Sequence, residues 1–148
     1  MKRISFHGLF IALFLVFSFD SFAEQYPHKL TVLVEGAKAS TGQAIASLFS
    51  SADNYLKAPV LKQIMPINDA GEVRFVFNEL KAGNYAVSIV YDEDSDGKLN
   101  TGFLGIPSEL VGFSNNAKGI FGPPSFHKAS FAFPESETIS IVLGQAKD

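Results

Sequence analysis

Apolar and polar residues alternate with a period of two in five segments of the chain. A β-strand points successive side chains to opposite faces of its sheet, so each segment predicts a strand with one apolar face. Turn-forming sequences such as Lys81-Ala82-Gly83-Asn84 separate the segments. The five predicted strands cover residues 30–34, 73–77, 85–91, 131–133 and 139–143.

Two further segments, residues 43–50 and 57–65, contain alanine and leucine, which suit either a strand or a short helix. Predicted strands lie on both sides of them, and we therefore expect strands here too. With six or seven short strands and no long amphipathic helix, the sequence predicts an all-β fold, an antiparallel β-sandwich of about seven strands.

The first 23 residues have the pattern of an export signal. A basic start, Met1-Lys2-Arg3, precedes an apolar run over residues 9–19 and the small-residue site Ser21-Phe22-Ala23. The run is shorter than the about 20 residues that span a bilayer. We predict a cleaved signal over residues 1–23, one domain over residues 24–148, a periplasmic or secreted product, and no stable membrane insertion after cleavage. No cysteine is present, which excludes disulfides.

The net charge of the chain is −3, and removal of the signal takes away two basic residues and one acidic residue, which leaves −4. The four carboxylates between residues 92 and 96 equal this whole excess. Because the remainder is balanced, the sequence argues against a nucleic-acid footprint and against a polybasic membrane patch.

Those carboxylates lie in the sequence YDEDSDGKLNTGF, residues 91–103. Asp92, Asp94 and Asp96 occupy the first, third and fifth positions of a calcium-loop pattern, with Gly97 at the sixth. The seventh, Lys98, would supply a backbone carbonyl, and calcium prefers such hard oxygen ligands. We predict weak calcium binding, with a dissociation constant of about 10⁻⁴ to 10⁻³ M.

The pattern is nevertheless not an EF-hand. Its twelfth position holds Phe103 in place of the bidentate glutamate, and the segment before it reads as a strand. Asn100, Glu93 and Glu109 are the spare oxygens that could complete the shell, and a simple turn between strands stays open as the alternative. The predicted metal ligands are Asp92, Asp94, Asp96, the Lys98 carbonyl and Asn100.

Residues 92–128, called the excursion below, carry no predicted strand. Loops of this length are usually functional or disordered, but the many phenylalanine, leucine and isoleucine residues of the excursion favour an ordered structure. It could cap one end of the sandwich or bind a partner or small ligand. The candidate contact residues are Phe113, Asn115, Asn116 and Phe121.

Catalysis has little support in the sequence. Beyond the signal, the histidines are His28 and His127, no cysteine is present, and no G-x-S-x-G nucleophile motif occurs. We predict no enzymatic activity, no catalytic residues, and no cofactor apart from calcium.

Two resemblances narrow the fold and the family. Residues 80–99, LKAGNYAVSIVYDEDSDGKL, resemble the penultimate-strand region of prealbumin-like and carboxypeptidase-regulatory-like sandwiches, which implies an Ig-like or prealbumin-like β-sandwich. The acidic turn D-x-D-x-D-G-K-L with FLGIP, GFSNNA and GPPSF resembles an uncharacterised family of small exported bacterial proteins, a domain of unknown function, over residues 30–143. That family supplies no activity to carry over.

The sequence thus predicts an exported, non-enzymatic β-sandwich, stabilised by calcium, that presents its Gly/Phe/Asn-rich excursion to a cell-envelope partner. The alternative is a module that binds a small molecule or carbohydrate through Asn115, Asn116 and exposed phenylalanines.

Overall fold

The computed structural model describes residues 28–146, so the predicted export signal lies outside the described residues. This part of the chain is all-β, as predicted, with two sheets and very little helix. Within residues 28–146, no helix has the length and apolar content needed to cross a membrane. The strands are β1 (Leu30–Glu35), β2 (Gln43–Phe49), β3 (Leu61–Pro66), β4 (Val73–Phe77), β5 (Gly83–Asp92), β6 (Val111–Phe113), β7 (Phe131–Phe133) and β8 (Thr138–Val142).

The first sheet has the order β4-β1-β8, and the second has the order β3-β2-β5-β6, with β7 also paired to β5. Strands β1 and β8 are parallel, whereas the other pairs are antiparallel. The expected purely antiparallel sheet arrangement is therefore wrong at one pair. Alternation along a strand reports which face is buried and carries no information on the direction of its neighbour.

Hydrogen bonds join the two sheets at both edges. On one side, the backbone of Val111 and the backbone of Gly144, just beyond β8, exchange two hydrogen bonds of 2.9 and 3.0 Å. On the other side, the Gln63 side chain in β3 donates to the Val76 carbonyl in β4 at 2.9 Å. These contacts hold the two layers around one main core.

The predicted apolar faces form that core. Large phenylalanines fill its centre, and the side chains that alternation assigned to one face of β1, β4 and β5 are buried, apart from the half-buried Tyr85. Burial of apolar side chains is the dominant favourable term in such a fold. The buried residues of these three strands include Leu30, Val32, Val34, Val73, Phe75, Phe77, Val87, Ile89 and Tyr91.

A second apolar cluster lies on the opposite face of β5. Ala86 alternates with the core residue Val87 and packs with Phe49, Tyr55 and the half-buried Phe126. Phe49 and Phe126 each contact the Tyr55 ring edge to face. Burial raises the pKa of Tyr55 to about 12.

Two strand boundaries differ from the expectation. The second uncertain segment, expected over residues 57–65, becomes strand only at Leu61, because residues 52–57 form turns. The excursion was expected to contain no strand, yet it contains β6. The short helix α1 (Phe126–Ala129) begins near its end. A three-residue strand with glycine at its centre is too short to produce a recognisable alternation.

The glycine of β6 permits close packing against the first sheet. A Cβ atom added to Gly112 would lie 2.5 Å from Cγ2 of Ile141, a fully buried residue. We expect Gly112→Ala to lower the free energy of unfolding by about 1–3 kcal/mol, since overpacking displaces core side chains. Urea unfolding measures this loss. The matched control is Gly144→Ala, where an added Cβ meets nothing within 4 Å, and equal losses in the two variants would contradict the packing argument.

Candidate functional site

The acidic loop, residues 92–100, begins where β5 ends. Its first residue, Asp92, has an exposed fraction of 0% and lies opposite Gln43 in the register of β5 with β2. The Gln43 side-chain amide donates to Oδ2 of Asp92 at 2.7 Å. Gly42 permits this approach, since a Cβ there would lie 2.5 Å from the Asp92 carbonyl oxygen, and its φ of +68° favours glycine.

The carboxylates of the loop accept hydrogen bonds from the loop's own backbone. Asp92 accepts from the N–H of Asp96 at 3.1 Å and of Gly97 at 2.9 Å. Asp94 also accepts from the Asp96 N–H at 3.2 Å, and Asp96 accepts from the Lys98 N–H at 2.8 Å. The chain therefore folds back over Asp92, and one oxygen from each of the three aspartates lies within 4.8 Å of the others.

Glu109 closes the loop from its far side. Only 9% of this residue is exposed, and its two carboxylate oxygens accept from the N–H of Glu93 at 3.2 Å and of Asn100 at 2.9 Å. The Asn100 side-chain amide in turn donates to Asp94 at 2.9 Å. Glu109 and Asn100 thus fix both ends of the loop.

The protonation of Asp92 follows from these contacts. Burial by itself would raise its pKa, but the hydrogen bonds from Gln43, Gly97 and Asp96 together hold the pKa below its usual value. Asp92 is therefore ionised at neutral pH. Two further carboxylates close to it create a site of concentrated negative charge.

The geometry fits part of a calcium shell. Asp92, Asp94 and Asp96 converge as the spacing predicted. Oδ2 of Asp92 already accepts from Gln43 and Gly97, but its Oδ1 accepts one hydrogen bond and retains a lone pair, as do the oxygens of Asp94 and Asp96. Asn100 also reaches the cluster, but it faces Asp94 with its amide nitrogen. Lys98 lies two residues after Asp96 and donates its N–H to that carboxylate, and its carbonyl is the remaining predicted ligand. Calcium takes six to eight oxygens, so water would supply the rest of the shell.

Two apolar residues at the end of the calcium-loop pattern and just after it are exposed. Phe103, at the twelfth position, is 86% exposed on a 3₁₀ turn, Phe103–Gly105. The neighbouring Leu104 is 81% exposed. This tip of the excursion provides no ligand for the loop.

Beyond β6, Ser114 connects three parts of the fold. It has no exposed surface, and its hydroxyl accepts from the Val87 N–H at 2.9 Å and donates to the Ala129 carbonyl at 2.5 Å. Val87 belongs to β5, and Ala129 ends α1. The serine of the GFSNNA motif is therefore a structural residue that joins the excursion to the second sheet.

The two asparagines that follow bind backbone groups as well. Asn115 donates its side-chain amide to the carbonyls of Lys128 at 3.1 Å and Ser130 at 2.8 Å. The side-chain oxygen of Asn116 accepts from the Val142 N–H in β8 at 2.9 Å. Both asparagines have positive φ, 61° and 47°, a conformation that asparagine tolerates better than most residues.

The four predicted contact residues do not share one surface environment. Phe113 is half-buried against the second apolar cluster, and the Asn115 and Asn116 side chains hold backbone. Phe121 is fully exposed. The alternative function, a module that binds a small molecule or carbohydrate, therefore remains a prediction from the sequence.

A cleft of about 440 Å³ lies beside the acidic loop. Glu93 and Glu109 form part of its wall, and Lys38 contacts Glu93 across an Nζ to Oε1 distance of 3.7 Å. Tyr91, Ser108 and Gln145 complete the polar lining. Glu93 belongs to both the acidic loop and the cleft wall, and Glu109 lines the cleft while it accepts hydrogen bonds from the loop backbone.

Sequence reasoning missed the roles of Gln43 and Ser114 and named Glu109 only as a spare oxygen. Gln43 meets Asp92 through strand register, which a single sequence does not reveal. Ser114 lacked any flanking catalytic pattern. The available signal was its position after a short apolar segment and before two asparagines, which is typical of side chains that hydrogen-bond to backbone groups.

Comparison with known proteins gives a family and no activity. Residues 32–141 match the family described as an uncharacterized protein conserved in bacteria, DUF2141. No curated protein matches the chain, and no solved structure matches it.

The hydrogen bonds to Asp92 generate a prediction on acid stability. A lowered pKa contributes stability above the unfolded value of about 3.9, and this contribution disappears as the pH falls through the folded value. Asp92→Asn should therefore lower the free energy of unfolding at pH 7 by about 1–3 kcal/mol. The gap between parent and variant should narrow below about pH 4.

Urea unfolding across this pH range, with a chelator present, measures the gap. Asp53→Asn, in the exposed turn after β2, is the control and should change stability little. A gap for Asp92→Asn that is equal at pH 7 and in acid would contradict the assignment.

Proposed function

The chain belongs to the bacterial DUF2141 family, and we propose that it is an exported, non-enzymatic β-sandwich protein stabilised by calcium. In this proposal, the acidic loop binds the ion, and the excursion faces a partner at the cell envelope. The two-layer, all-β fold supports an Ig-like or prealbumin-like sandwich as the architecture.

One observation carries the calcium proposal. Oxygens of Asp92, Asp94 and Asp96 lie within 4.8 Å of one another. Among residues 28–146, these three side chains are the acidic cluster close enough together to hold a metal ion. Carboxylates at this distance repel one another unless a cation or water offsets their charge. A divalent cation bound to hard oxygens removes this repulsion directly.

The position of the loop explains what the ion would stabilise. Asp92 is the last residue of β5, and Glu109 lies just before β6, so the loop controls where the chain leaves and re-enters the second sheet. Calcium would hold these two points together. Its expected role is structural.

Calcium should therefore raise the melting temperature. With a dissociation constant of about 10⁻⁴ to 10⁻³ M, a concentration of about 10 mM corresponds to about 1.4–2.7 kcal/mol, or a shift of several degrees. Magnesium should act more weakly, since it keeps its own waters and demands a stricter octahedron. Differential scanning calorimetry with chelator, calcium and magnesium makes the comparison.

A double variant, Asp94→Asn with Asp96→Asn, removes two ligands that are exposed and keeps the buried Asp92. It should lose the calcium shift and melt, in chelator, close to the parent. The control, Glu135→Gln with Glu137→Gln, makes the same charge change at an exposed turn and should keep the shift. A parent protein with no calcium shift, or a double variant that keeps it, would exclude the acidic loop as the site.

A further inference from the structure

The second tip of the excursion, Ile120-Phe121, displays two large apolar side chains. Ile120 is 82% exposed and Phe121 is 102% exposed. A tight bend supports them, since a Cβ at Gly119 would clash with the Gly122 carbonyl oxygen. Pro123 follows immediately and restricts the backbone further.

The base of this tip is anchored in the fold. Before the tip, Ser114 bonds to β5 and α1, and Asn116 bonds to β8. After the tip, the ring of Phe126 packs on Tyr55 at a centroid distance of 5.8 Å. The exposed pair therefore projects from a fixed support, and its exposure does not result from a lack of local structure.

The charge around the tip differs from that of the chain as a whole. Residues 110–134 contain no aspartate and no glutamate, although the net charge of the chain is −3. Two lysines, Lys118 and Lys128, and His127 are exposed in this segment. Charge is thus segregated along the excursion, with carboxylates on the acidic loop and two lysines on the segment that carries the Ile120-Phe121 tip.

The size of the tip argues against a stable protein interface of its own. Such interfaces bury about 800 Å² on each partner, whereas a large aromatic side chain buries only about 150–250 Å². Insertion into a membrane interface requires less, because apolar side chains need only reach about 5–10 Å below the headgroups. Basic residues beside the inserted side chains add attraction to anionic lipids.

We propose that the Ile120-Phe121 tip docks on an anionic lipid surface, with both side chains in the interfacial region and Lys118 and Lys128 near the lipid phosphates. This assignment rests on the proposed export of the protein and names what the excursion meets at the envelope. Docking is peripheral and reversible, since two side chains provide a limited apolar anchor. This mode of docking does not require a polybasic patch, which the sequence argues against, because two lysines act together with two apolar side chains.

The first tip, Phe103-Leu104, provides an internal control. Its side chains are exposed to a similar degree, at 86% and 81%, but the acidic loop precedes it. An anionic surface repels that loop, so this tip should not contribute to binding when calcium is absent. A comparison of the two tips thus distinguishes nonspecific hydrophobic binding from charge-assisted docking.

Sedimentation with lipid vesicles tests the proposal on the protein that lacks its export signal, with chelator present so that calcium plays no part. The protein should pellet with vesicles of phosphatidylglycerol and phosphatidylcholine, and much less with vesicles of phosphatidylcholine alone. Ile120→Ser with Phe121→Ser should weaken binding at least about tenfold. Neutralising Lys118 and Lys128 to glutamine should weaken it about fivefold for each charge.

Phe103→Ser with Leu104→Ser should bind as the parent does, and thermal unfolding checks that every variant is folded. No pelleting with either vesicle, equal pelleting with both, or equal losses in the two tip variants would overturn the proposal. Because the vesicle assay contains chelator, a negative result in it does not affect the conclusion on calcium binding. Failure of the calcium test likewise leaves lipid docking intact.

Discussion

The buried carboxylate of Asp92 is the constraint on which the excursion depends. An ionised group without exposed surface is costly unless hydrogen bonds replace its water, and here the donors are Gln43 and the backbone of Asp96 and Gly97. The backbone donors lie four and five residues further along, so satisfying the charge requires the chain to turn at once. Desolvation of one side chain thereby dictates the geometry at the end of β5.

Hydrogen bonds between side chains and backbone also hold the remainder of the excursion, but here the side chains are neutral. Ser114, Asn115 and Asn116 satisfy backbone groups of β5, α1 and β8. Buried backbone N–H and C=O groups need partners, and a segment with one three-residue strand cannot supply them from a ladder alone. Side-chain amides and a hydroxyl complete the pairing, which explains how a long segment with little regular structure is ordered.

Alternation was sufficient to predict the buried faces of β1, β4 and β5, because each of these strands repeats its pattern over at least five residues. The convergence of Asp92, Asp94 and Asp96 was equally accessible, since a short local spacing determines it. The role of Gln43 could not be predicted from the sequence, because Gln43 is 49 positions away from Asp92 and meets it only through strand register. The parallel pairing of β1 with β8 was hidden for the same reason, as it joins opposite ends of the domain.

The short strand β6 divides two surfaces of opposite charge. Before it lie the carboxylates of the acidic loop and Glu109, and after it comes a stretch free of acidic residues up to Pro134. Because β6 is hydrogen-bonded to β5 and Val111 also bonds to Gly144, neither surface can shift without disturbing a strand edge. Salt screens exposed charges on both sides, but within residues 28–146 the three converging aspartate oxygens lie on the acidic side. The proposed calcium contact and the proposed lipid contact should therefore respond to ionic strength and to calcium independently.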